Sequence, residues 1–73
     1  MRSLRFSVVY ETDPGSNWSA YVPDLPGCVS TGQTLEEVQR NIREAVEGHI
    51  RVMRDYGDPV PEPSTVVGTV ELL

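Results

Sequence analysis

The side chains with most capacity for chemistry in this 73-residue sequence are Cys28, His49 and the carboxylates of Glu11, Asp24 and Glu44. A cysteine nucleophile needs a base within hydrogen-bond reach to take its proton. His49 is the one histidine, and it lies inside an apolar helical stripe rather than beside a thiol. It reads as a hydrogen-bonded core or inter-subunit histidine, with a pH switch as the sharper alternative. Cys28 reads as a small buried strand residue. A metal site needs ligands whose spacing makes them converge, and Glu11, Asp24 and Glu44 have no such spacing. The expectation is a protein that is not an enzyme, with no cofactor and no metal. Asp24 stands between two prolines, where its carboxylate either caps nearby backbone N–H groups or meets a cation of a partner.

These residues are positioned by the stretch Tyr21-Val22-Pro23-Asp24-Leu25-Pro26-Gly27-Cys28-Val29-Ser30-Thr31-Gly32-Gln33-Thr34-Leu35-Glu36-Glu37. Each proline fixes its own φ and holds the residue before it extended, here Val22 and Leu25. Gly27 and Gly32 are expected to supply positive φ on entering and leaving a short strand. Thr34 with Glu37 three residues on is a capping box at a helix start.

Around this stretch the period of the apolar residues defines the elements. Leu4 to Glu11 alternates, with Leu4, Phe6, Val8 and Tyr10 on one face. Asp13-Pro14-Gly15 is a turn. Trp18 to Val22 is a second strand, pairing with the first as a hairpin, and Cys28 to Gln33 is a brief third. From Leu35 to Tyr56, the residues Val38, Ile42, Ala45, Val46, His49, Val52 and Met53 share one helical stripe, and Gly57 suits the C′ position. Pro59, Pro61 and Pro63 make a stiff connector, and Thr65 to Leu72 alternates as a last strand. The order βββαβ, with a right-handed crossover, predicts an α+β fold. It has a four-stranded mixed sheet, order 3-2-1-4, with the one long helix on one face. The other face, carrying Val9, Tyr21 and Val67, is left open.

Composition narrows the partners. A net charge of −5 argues against direct binding of nucleic acid and favours a basic protein. All six cationic residues are Arg. One cysteine permits no internal disulfide, which suits a reducing cytoplasm. No apolar run reaches the ~20 residues of a membrane span and no signal peptide is visible, so the expected location is cytoplasmic, away from membranes. So small a chain buries only about 60% of its unfolded surface, which favours a homo-oligomer, dimer or tetramer.

The run Trp18-x-Ala20-x-Val22-Pro23-Asp24-Leu25-Pro26-Gly27-Cys28-Val29-Ser30-x-Gly32-x-Thr34-x-Glu36-Glu37 resembles the N-terminal domain of HicB antitoxins. Asn41, Glu44, Ala45, His49, Gly57 and the Pro59/Pro61 pair are placed as in that family, so the resemblance spans roughly Phe6 to Leu72. It implies a partial, degenerate ribonuclease-H-like fold. It also implies an antitoxin that binds and blocks HicA, a small basic ribonuclease that cleaves mRNA, and that self-associates through this domain. Many HicB proteins continue into a ribbon–helix–helix or helix–turn–helix that binds DNA. Here the expectation is a single domain over 1–73 with no C-terminal DNA-binding domain. Ribonuclease-H chemistry needs a carboxylate inside the first strand, where Phe6, Val8 and Tyr10 stand instead.

The expected function is thus a HicB-like antitoxin neutralising a HicA-type toxin, with a stand-alone homo-oligomeric binding module as the alternative. Tyr21, Asp24, Leu25 and Pro26 are the expected partner contacts, and Tyr21→Ala or Leu25→Ala is expected to weaken inhibition without unfolding. Val9, Val67 and His49 are the expected oligomer contacts.

Overall fold

The computed structural model describes residues 3–73. Three short strands, β1 (Val9–Thr12), β2 (Trp18–Tyr21) and β3 (Val29–Gly32), precede one helix, α1 (Leu35–Asp55). The strands form an antiparallel meander in the order β1-β2-β3. The first hairpin closes on a turn in which the Ser16 N–H donates to the Asp13 carbonyl at 2.9 Å, with Pro14 presetting the bend.

One face of this sheet carries the core. Ala20, Val22, Leu25 and Cys28 from the sheet and its loop are buried against Val38 and Ile42 of α1. Phe6, Val8, Tyr10, Trp18, Leu35 and Val46 pack around them. The helix begins as its sequence dictates: Thr34 is the N-cap, and its Oγ1 accepts from the Glu37 N–H at 3.0 Å. It ends in a Schellman motif. Gly57 donates to the Arg54 carbonyl at 3.1 Å and Asp58 to the Met53 carbonyl at 2.8 Å. Asn41 ties the helix to β3 by donating from Nδ2 to the Thr31 carbonyl at 2.9 Å.

Gly32 serves a different purpose from the one expected. Its φ is not positive. A Cβ there would stand 2.6 Å from the Val38 nitrogen and 3.0 Å from its Cα. Glycine is what lets the first turn of the helix lie directly on β3.

The sheet is also smaller than expected. Four strands in the order 3-2-1-4 are not formed. Pairing of the first strand starts at Val9, whose partner Tyr21 is the last residue of β2, leaving 4–8 without a ladder. The segment Thr65 to Leu72 pairs with nothing among the described residues. Alternation set its potential to be a strand, but a strand needs a neighbour, and none among the described residues accepts it.

Candidate functional site

The loop joining β2 to β3 is two turns laid end to end. Leu25 N–H donates to the Val22 carbonyl at 3.1 Å, and Cys28 N–H donates to the Leu25 carbonyl at 3.0 Å. Pro23 and Pro26 each occupy the second position of a turn, and Gly27, at φ 84°, takes the third position of the second. A further bond from Val22 N–H to the Cys28 carbonyl, 3.1 Å, closes the base. Leu25, at 1% exposure, is driven into the core as a peg, while Pro26 stays outside. This loop is rigid because every bend in it is fixed by a proline, a glycine or a buried side chain.

The same loop aligns a row of apolar side chains on the face opposite the helix. Val9 faces Tyr21 across β1–β2, and Tyr21 faces Val29 across β2–β3, so the three stand side by side across the whole sheet. Tyr21 is 41% and Val29 64% exposed. Val29 was not singled out from the sequence. Its signal was there: with Cys28 pointing inward, the next residue of the strand must point out.

Asp24 is neither a local cap nor a free charge. Its Oδ2 accepts from the backbone N–H groups of Ser64 at 2.9 Å and Thr65 at 3.0 Å. Its Oδ1 accepts from the Thr65 hydroxyl at 2.7 Å and the Ser64 hydroxyl at 3.2 Å. The Ser64 backbone bond and the Thr65 hydroxyl bond are the main reasons its pKa falls from 3.8 to about 2. Ser7 completes the grip, donating from Oγ to the Thr65 carbonyl at 2.9 Å. The carboxylate thus latches the chain after the proline-rich connector onto the loop and the start of the sheet.

The family model described as "HicB_like antitoxin of bacterial toxin-antitoxin system" matches residues 6–71. The chain belongs to the HicB-like antitoxin family. A UPF0150 protein of Synechocystis is 34% identical over 68 residues, covering 93% of this chain and 86% of that one. A UPF0150 protein of Thermotoga maritima is 36% identical over 63 residues (82% and 80%). One from Thermoplasma acidophilum is 28% identical over 67 residues (92% and 97%).

In this HicB-like domain, the other candidates are dispersed. Cys28 is buried, and burial pushes its thiol pKa up, so it stays protonated and inert at neutral pH. His49 is half-buried on α1, in an open groove with Val29, Val52 and Met53. Glu11 lies on β1 near the first turn, Asp24 in the proline loop and Glu44 on the exposed side of the helix, so the fold does not bring them together. Among the described residues no group of three or more His, Cys, Asp or Glu side chains gathers around a common point. Of the expected oligomer contacts, Val9 is in the row, His49 lines the groove that Val29 shares, and Val67 is exposed beyond Thr65. No helix among the described residues is long and apolar enough to cross a membrane.

Proposed function

We propose that this HicB-like antitoxin binds and neutralises a small basic ribonuclease of the HicA type, without catalysis of its own. The observation that carries this reading is the Val9–Tyr21–Val29 row, with Tyr21 and Val29 exposed and Val9 half-buried, beside a rigid loop on a chain of net charge −5. Opposite charge speeds the encounter with a basic partner, and a central apolar and aromatic cluster sets the affinity. Tyr21 and Pro26 offer direct contact. Leu25 acts from inside, by holding the loop, and Asp24 by holding the segment latched to it. The test is inhibition of RNA cleavage by the co-purified basic chain. Tyr21→Ala is expected to raise the inhibitory concentration by about tenfold or more, as loss of an aromatic anchor does. Unchanged inhibition by Tyr21→Ala and by Val29→Asp, both folded, would remove this surface from the interface.

A homo-oligomeric module is the second reading, and the exposed apolar chain end after Thr65 favours it. The two are compatible, because that chain end and the row are separate features.

A further inference from the structure

Beyond Thr65 the chain leaves the body as an arm. Val66, Val70 and Leu72 are 92%, 86% and 88% exposed, so they fill no groove of their own chain. The radius of gyration is 14.0 Å, where a compact chain of this length has about 11 Å. The arm's base is not loose, since Asp24 and Ser7 fix Ser64 and Thr65 by five hydrogen bonds. An anchored, alternating, apolar and unpaired strand is unstable in water on two counts, its bare side chains and its open ladder groups.

The same fold leaves a vacancy of complementary shape. At the outer edge of the sheet, residues 4–8 lead into β1 without a ladder of their own. Beside them runs an open groove whose floor is Leu4, Phe6, Val8, Tyr10, Ile42 and Val46, with Gln39 and the Arg43–Glu47 ion pair also lining it from the helix. A strand laid along this edge would place every second side chain in the groove, and the arm carries Val66, Val70 and Leu72 at that spacing. The eight residues 66–73 reach about 26 Å when extended, and the smaller dimensions of the molecule are 28 and 21 Å. Charge agrees too. Arg5 is the one charged residue in the segment 4–8, and Glu71 is the one in the arm.

We propose that the arm 66–73 of one copy adds as a strand to the edge formed by residues 4–8 and β1 of a second copy, reciprocally, giving a two-fold strand-exchanged dimer. Each copy then gains a ladder for its unpaired edge and cover for its groove, and neither keeps a bare apolar strand. This inference rests on the self-association reading and is independent of the toxin.

The experiment is sedimentation equilibrium of the full chain across micromolar concentrations, beside Val70→Asp. Val70 is 86% exposed, so the variant folds, with circular dichroism as the check. The expected result is a dimer for the native chain and an affinity lower by about tenfold or more for Val70→Asp, a charge replacing an apolar side chain on the groove's apolar floor. Mixing Val70→Asp with Leu4→Arg, which blocks the groove at a residue outside the core cluster, is expected to restore some dimer, because one arm and one groove stay intact. A native chain that is monomeric overturns both self-association and the exchange. A dimer indifferent to Val70→Asp keeps self-association and overturns the exchange alone.

Discussion

Asp24 illustrates how a single residue takes its meaning from the fold. Between two prolines a carboxylate reads as a local cap, yet the turns around it are closed entirely by backbone groups. Its oxygens are left to receive Ser64 and Thr65 from across the molecule. A carboxyl whose pKa is lower in the folded chain contributes stability above its ordinary value and loses it as pH falls through the folded one. The latch is therefore complete above about pH 4 and is lost between there and about pH 2, given the folded value of about 2. The amide resonances of Ser64 and Thr65 should titrate with a midpoint near 2 and stop doing so in Asp24→Ala. A midpoint near the ordinary 3.8 would mean that the latch is not formed. Leu25 makes the opposite case. It reads as an outward anchor in a proline loop but is a core peg, so Leu25→Ala is a stability variant. A loss of about 2–5 kcal/mol is expected by chemical denaturation, a large share of what so small a domain possesses. A loss well below 1 kcal/mol would place the side chain outside the core.

At the scale of elements, much was legible because local rules agreed with one another. The capping threonine, the apolar stripe and Gly57 define α1 within a residue of its ends. The inward set of the first strand and the turn at Asp13 follow from alternation and proline alone. What alternation does not contain is the partner of a strand. Residues 4–8 and 65–72 both have strand character, and neither has a ladder among the described residues, so a four-stranded sheet did not follow. Gly32 was legible as a necessary glycine but not for its reason. Close approach of a helix is a tertiary fact, whereas positive φ is the local explanation that a sequence suggests. Gly32→Ala should force the Thr34–Val38 turn away from β3, because the atoms in its way are backbone. Overpacking of this kind costs about 1–3 kcal/mol. A melting temperature unchanged from the native chain would contradict it. The latch from Asp24 to Ser64 and Thr65 had no sequence signal, since nothing local links groups so far apart along the chain.

For the whole molecule, the fold divides labour between two surfaces. The helix side holds the core and the edge groove, and the opposite side presents the Val9–Tyr21–Val29 row under a negative net charge. The proline loop and its latch keep the row and the base of the arm in fixed places. That arrangement suits a domain that recognises rather than transforms its partner. The most direct test is to isolate the tagged native chain from its own cells, identify what co-purifies by mass, and assay the separated partner for RNA cleavage with and without the domain. The account predicts a small basic chain that cleaves RNA, is silenced when the native domain is returned, and is silenced less by Tyr21→Ala. A co-purified nuclease that the native domain leaves active, or that Tyr21→Ala inhibits as well as the native chain does, would contradict it.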